Sequence, residues 1–149
     1  MFSTAAIAKK LDLVNIGAAG TFVSRRPVSV AAIARELTHG NAVVIRPASE
    51  VTRLVDAGPP RVPAGAVIFV SVLMGRATKR PRLPIERPQG QGWALRIIEK
   101  RGAFVVCARH RERQRGLDLS GVLAREFGVP FTTRSWGTME RIAAAIRAL

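Results

Sequence analysis

Guanidinium and ammonium groups are the side chains of this sequence whose types and spacing could do chemistry. Between Gly75 and Arg115 stand Arg76, Lys79, Arg80, Arg82, Arg87, Arg96, Lys100, Arg101, Arg109, Arg111, Arg113 and Arg115, opposed only by Glu86, Glu99 and Glu112. Arg109, Arg111, Arg113 and Arg115 recur at every second position, so in an extended chain all four project from one side. Such a row could track a phosphate backbone, because the arginine fork pairs with phosphate oxygens two at a time and lysine does not. Arg25 and Arg26, at the close of an earlier predicted strand, extend the set. So does Arg134, beside a predicted helix start, where an anion is favoured. The candidate phosphate contacts are therefore Arg25, Arg26, Arg76, Lys79, Arg80, Arg82, Arg87, Arg109, Arg111, Arg113, Arg115 and Arg134.

The whole chain repeats this imbalance: 24 Lys plus Arg against 10 Asp plus Glu, a formal net charge of +14 over 149 residues. A small folded protein so charged attracts dense polyanions. Nucleic acid is the commonest of them, since phosphate contact releases condensed counterions. A GC-rich coding sequence would yield the same excess of arginine without any binding role. Nothing in the pattern reads bases: there is no zinc-finger spacing, no leucine-zipper heptad and no aromatic RNA-binding strand. Binding is expected to be independent of sequence.

Other chemistries find little support. Cys107 lies in the apolar stretch Phe104–Ala108 and reads as a buried structural thiol, not a nucleophile. His39 reads as a helix C-terminal residue. His110 stands among arginines, which would keep it neutral and make a metal site there unfavourable. The acids are scattered and sit beside cations (Glu36, Glu126, Glu140), so no carboxylate cluster is available to hold catalytic metals. Gly17–Gly20 is not a P-loop, because no Lys-Ser/Thr pair follows it. No catalytic residue, metal ligand or cofactor is nominated. A lone cysteine fits a reducing, cytoplasmic setting. The longest apolar run, Ala64–Met74, falls short of the roughly 20 residues a bilayer span needs. No signal peptide is evident, and no helix joins a strongly basic face to a bulky apolar one, so a membrane is not expected as partner.

The elements that must position the cations read as a mixture of strands and helices without strict alternation, which argues for an α+β fold: a mixed sheet flanked by helices. Thr4–Leu11 is helical. Leu13–Arg25 reads as a strand interrupted by Gly17–Gly20. Ser29 caps a helix carrying Val30, Ile33, Ala34 and Leu37, which ends at His39-Gly40. Asn41–Arg46 reads as a β-branched strand, and Ser49 as the cap of a helix with Val51, Leu54 and Val55 inward. The proline-rich stretch Gly58–Pro63 marks a boundary between two small halves, 1–60 and 61–149, expected to form a single compact unit. Ala66–Leu73 suits a strand buried on both faces. Gly75–Gly92 reads as a mobile loop, and Arg101-Gly102 as the turn of a hairpin between Trp93–Lys100 and Ala103–Arg109. Asp118 caps a helix closed by Gly128, Pro130–Thr133 is extended, and Ser135 caps a final helix with Met139, Ile142, Ala143 and Ile146 inward.

Two stretches carry a family resemblance. Asn15-Ile-Gly-Ala-Ala-Gly-Thr-Phe-Val23, followed by Pro27-Val-Ser29 and its helix, is similar to the glycine-containing strand of the bacterial family of unknown function DUF1697. Phe127-Gly-Val-Pro-Phe-Thr-Thr-Arg-Ser-Trp136 resembles the C-terminal signature of the same family, with Ser135 in place of its asparagine and Thr138 matching its later threonine. The resemblance covers most of the chain and implies two related α+β halves around a mixed sheet. It implies no activity, cofactor or catalytic residue. Members open with a strand that this chain begins too late to contain, so one sheet edge is expected to be missing or supplied otherwise. The usual link between hairpin and helix is replaced by Arg115-Gly-Leu-Asp-Leu119.

Taken together, these residues predict a cytoplasmic protein that binds nucleic acid, duplex DNA ahead of RNA, through arginine-rich loops and strand ends. Two alternatives stay open. One is an interaction module for an acidic protein or for a second copy of the chain, a homo-oligomer built through an open sheet edge. The other is an enzyme on a small anionic substrate, for which no base can be named.

Overall fold

The computed structural model describes residues 3–17, 20–37, 42–113 and 116–149. In chain order these form α1 (Thr4–Leu11), β1 (Val14–Asn15), β2 (Phe22–Val23), α2 (Val30–Ala34), α3 (Ala48–Asp56), β3 (Ala66–Leu73), β4 (Ile85–Arg87), β5 (Leu95–Arg101), β6 (Phe104–His110), a 3-10 turn at Arg111–Arg113, α4 (Leu119–Phe127), β7 (Phe131–Ser135) and α5 (Trp136–Arg147). The fold is α+β. The chain divides into two compact units, one of residues 1–57 with 137–149, the other of residues 58–136. The division after Ala57 falls where Gly58 takes a positive φ of 79° and Pro59 and Pro60 cannot continue a helix. The last helix from Gly137 on belongs with the first unit and not with the residues that precede it, and Met139, Ile142 and Ala143, recurring at helical spacing, are its buried residues.

The first unit is mostly helical. The Ser3 side chain accepts from the Ala6 N–H and starts α1, and Asp12 ends it in the left-handed region at φ 53°. The Ser29 hydroxyl likewise accepts from Ala32 N–H at the start of α2. The stretch expected to be one interrupted strand is instead a small hairpin. Val14 pairs with Val23 and Asn15 with Phe22, and the Ile16 N–H donates to the Thr21 carbonyl across the turn. Gly17 and Gly20 turn the chain at φ 72° and 77°, a reversal that a strand reading of glycines cannot produce. Two further expectations fail here. Residues 42–46 form no strand, and α3 starts after Pro47, without a side-chain cap, instead of after Ser49. Proline there supplies the fixed φ that helix entry tolerates. The His39-Gly40 helix ending lies outside the described residues.

The second unit is built on a five-stranded sheet of order β4-β5-β6-β3-β7. Every pairing in it is antiparallel, so the sheet is not mixed as expected. The physical reason is the path of the chain. β6 and β7 run parallel to each other, joined by α4, but β3 is inserted between them and opposes both. The two units thus differ in content: a two-stranded hairpin with helices in one, a five-stranded sheet with one helix in the other.

Alternation fixes the two faces of this sheet. Phe69 and Leu73 of β3, Val105 and Cys107 of β6, and Leu95 and Ile97 of β5 are buried with Val122, Leu123 and Phe127 of α4. The predicted cap is present: the Asp118 carboxylate accepts from Gly121 N–H at 3.0 Å. The predicted ending is present too, with Gly128 in the left-handed region at φ 67° and its N–H bonded to the Ala124 carbonyl. The β5–β6 hairpin forms around Gly102-Ala103, with Arg101 opposite Phe104 and Gly102 at φ 61°. At the outer edge, β4 is flanked by Pro84 and Pro88, which lack an N–H to offer another strand.

Candidate functional site

The segment between β3 and β4 is anchored, not loose. The Thr78 and Lys79 N–H groups both donate to the Phe127 carbonyl, at 2.9 and 3.2 Å. The Thr78 hydroxyl donates to the Gly128 carbonyl at 3.1 Å, and Lys79 Nζ donates to the Arg125 carbonyl at 3.0 Å. These carbonyls are the orphan acceptors of the last turn of α4, so the loop caps the helix. Part of the stretch expected to be loop is strand β4, with Ile85 paired to Ile97 and Arg87 to Leu95. The sequence signals for mobility, prolines and like charges, are outweighed here by long-range hydrogen bonds that no local reading reveals.

Anchoring Thr78 and Lys79 leaves Arg76 and Arg80 on either side of the pinned dipeptide. Both are exposed, and both line a depression of about 330 Å³ whose remaining walls are Ala77, Pro81, Leu83, Phe127 and a third cation, Lys100. Among the described residues no carboxylate lines it. Among the described residues Arg76, Arg80, Lys100, and the neighbouring Arg82, take part in no ion pair.

Lys100 arrives there through a β-bulge. Leu95 and Ile97 of β5 point toward α4, and strict alternation would put Glu99 on that same face. The register slips by one residue between Ile97 and Glu99, so Glu99 lies opposite Val106 and Lys100 opposite Val105. Val105 is part of the core beneath α4. The bulge therefore turns a carboxylate away from the depression and a cation toward it. Glu99 is instead engaged by Arg101 on the other face, at 2.5 Å. Sequence reasoning left Lys100 out of the candidate contacts; the adjacent apolar pair Ile97-Ile98, which breaks the alternation of β5 where the bulge lies, is the signal that could have found it.

The other predicted contacts are dispersed. Arg87 is half-buried and pairs with Glu126 of α4 at 3.0 Å, which neutralises it locally. Lys79 is committed to the helix end. The alternating row from Arg109 does not form: β6 stops at His110 and Arg111–Arg113 is a 3-10 turn, in which residues two apart no longer share a side. Arg109 is half-buried, its guanidinium 5.6 Å from the centre of the Phe69 ring and its Nε buried without a hydrogen-bond partner. Arg113 is exposed and donates to the Gln91 and Trp93 carbonyls at 3.0 and 3.4 Å. Arg111 is exposed, and Arg115 lies outside the described residues. Arg134 turns back on its own strand, donating to Thr132 Oγ1 at 2.9 Å and to the Thr133 carbonyl at 2.8 Å, and burial pulls its pKa down. Arg25 and Arg26 are exposed in the first unit, in a smaller depression of about 200 Å³ that also holds Asp12.

The titratable side chains set apart in the sequence are built into the fold. Cys107 is fully buried, and desolvation pushes its thiol well above the ordinary value. His110 is buried against Trp93, ring centres 4.4 Å apart, and the Arg96 guanidinium lies over the Trp93 ring, 4.3 Å from its centre, while pairing with Glu86. Among the described residues no three His, Cys, Asp or Glu side chains gather as metal ligands, and no helix is long and apolar enough to cross a membrane. No family model, curated protein or solved structure matches this chain. The chemistry of the site is thus read from its own residues: fixed positive charge around a concave, partly apolar floor, able to hold an anion.

Proposed function

We propose that this protein binds nucleic acid through its phosphates, without reading base sequence, and that Arg76, Arg80 and Lys100 form the centre of the contact. The observation that carries the reading is the convergence of these three cations on one depression that no carboxylate lines. A cleft walled by one sign of charge and by apolar side chains focuses its field, so the attraction is stronger than for the same charges spread over a convex surface. Arg82 and Arg111, exposed in the same unit, extend the contact along a strand, and Arg25 and Arg26 offer a separate positive patch on the other unit. Arg87, Arg109, Arg113, Lys79 and Arg134 play structural parts and contribute little. Duplex DNA in the cytoplasm is the preferred partner under this reading. The resemblance to DUF1697 bears on the fold alone.

Fluorescence anisotropy with unrelated labelled duplexes, repeated across salt concentrations, tests it. Engagement of about five phosphates gives a slope of log K against log salt of about −4.5. Affinities that differ little between unrelated duplexes and fall steeply with salt are expected. Absence of binding at low ionic strength would remove the reading.

A further inference from the structure

We infer that the Arg76–Arg80–Lys100 depression is a seat for a terminal phosphate monoester, so that this protein favours nucleic-acid strands carrying a 5′-phosphate over those ending in a hydroxyl. The inference rests on the phosphate-binding reading above and specifies which phosphate occupies the depression. Three features separate an end group from the side of a duplex.

The first is shape. The cations line a concavity of about 330 Å³ and do not stand in a row. That is near the lower end of ordinary small-ligand pockets, roughly 300–1,000 Å³. A continuous backbone lies over a surface, whereas a chain end can enter a hollow. The second is charge. An internal phosphodiester carries one negative charge, and a monoester carries about 1.5 to 2 at neutral pH. Three convergent cations with no carboxylate among the lining residues are matched to the larger charge. The third is rigidity. Arg76 and Arg80 flank a dipeptide pinned to the end of α4 through the Phe127 and Gly128 carbonyls, and Lys100 stands on strand β5, paired with Val105 of β6, rather than on a loop. Ordering costs on binding are reduced for groups so placed. The apolar walls, Leu83 and Phe127 among them, exclude water from one side of the anion and strengthen each charge-assisted hydrogen bond.

The experiment compares one single-stranded oligonucleotide and one duplex, each with a 5′-phosphate or a 5′-hydroxyl, against the full chain and the Lys100→Gln and Lys100→Arg variants. Lys100 is exposed, and circular dichroism and thermal melting establish that each variant folds. One charge-assisted hydrogen bond corresponds to about tenfold in affinity. The 5′-phosphate is therefore expected to tighten binding by about that factor in the parent chain and in Lys100→Arg, and by much less in Lys100→Gln. A 5′-mononucleotide at millimolar concentration should abolish the preference, and inorganic phosphate at the same concentration should do so too. Equal binding of phosphorylated and hydroxyl ends by the parent chain would overturn this inference while leaving the general phosphate reading intact. A preference that persists in Lys100→Gln would overturn the assignment to this depression. If neither end binds, both readings fall.

Discussion

Lys100 faces Val105 across the β5–β6 ladder, one residue out of phase with Ile97 opposite Cys107. That slip decides the sign of the side chain presented beside Arg76 and Arg80. Its consequence is a charge test that leaves the fold alone. Lys100→Glu restores the carboxylate that an unbulged strand would have placed there. Because the side chain is exposed, stability should change by no more than about 0.5 kcal/mol, while affinity for a phosphorylated oligonucleotide drops more than for Lys100→Gln. Urea titration and anisotropy on the same preparations measure the two effects separately.

The anchor between Thr78 and Gly128 makes a second prediction. Gly128 holds φ at 67°, and a methyl group added there would overlap the Thr78 hydroxyl. Gly128→Ala should therefore cost more than the roughly 1–2 kcal/mol of left-handed backbone alone. Thr78→Ala removes one hydrogen bond and should cost about 0.5–1.5 kcal/mol. In the double variant the overlap with the hydroxyl is gone and only a tight contact with the residue 78 Cβ remains, so the combined loss should be smaller than the sum of the single losses. A double-mutant cycle from urea unfolding checks this; strict additivity would show that the loop does not rest on the helix end as described.

The pH dependence of end recognition follows from the ligand. The depression is lined by two arginines and a lysine, and among the described residues no carboxylate or imidazole lines it. The second proton of a phosphate monoester is lost with a pKa of about 6. Raising the pH from 5 to 7.5 increases the charge of the monoester and leaves a diester unchanged. The advantage of the 5′-phosphorylated strand should therefore grow over that range and shrink on return to pH 5, as anisotropy with the two ends will show.

Cys107 supplies a fourth prediction. Burial raises its thiol above the ordinary value of 9.0. In the native state it should resist alkylation at pH 8, and in urea it should react quickly. The same shift has a stability sign. The native thiol keeps its proton while the unfolded one loses it, so the contribution of Cys107 is fully present below pH 9.0 and is lost as pH rises above it. Between pH 8 and 10 the parent chain should lose about 1 kcal/mol more than Cys107→Ala. Parallel urea curves for the two chains across that range would contradict the burial.

The Asp118 cap is the simplest structural test. Its carboxylate accepts the Gly121 N–H at the start of α4, the helix whose far end holds the basic loop. Asp118→Ala should lower stability by about 0.5–2 kcal/mol, measured by thermal or urea unfolding. Asp118→Asn should keep most of the parent stability, since an amide oxygen caps nearly as well.

By itself the sequence determined the features whose cause is local. Ser29 and Asp118 cap helices because a side-chain oxygen reaches an N–H three residues ahead, and Gly102 and Gly128 mark a turn and a helix end because they tolerate positive φ. Val122, Leu123 and Phe127, buried together, likewise recur at the spacing of one helix face, with Leu119 partly buried beside them. Local glycines and β-branched residues were ambiguous where no partner was visible, which is why a hairpin at Val14–Val23 read as one strand and residues 42–46 read as a strand they do not form. Only tertiary structure decided which cations remain available. Arg87 is matched by Glu126, 39 residues away, and Lys79 by the Arg125 carbonyl, 46 residues away. The face that Lys100 occupies depends on a register set jointly with β6. Charge is written in composition, but its convergence on one hollow is a property of long-range pairing, which places a cation on one side of a sheet or the other by a single residue of slip.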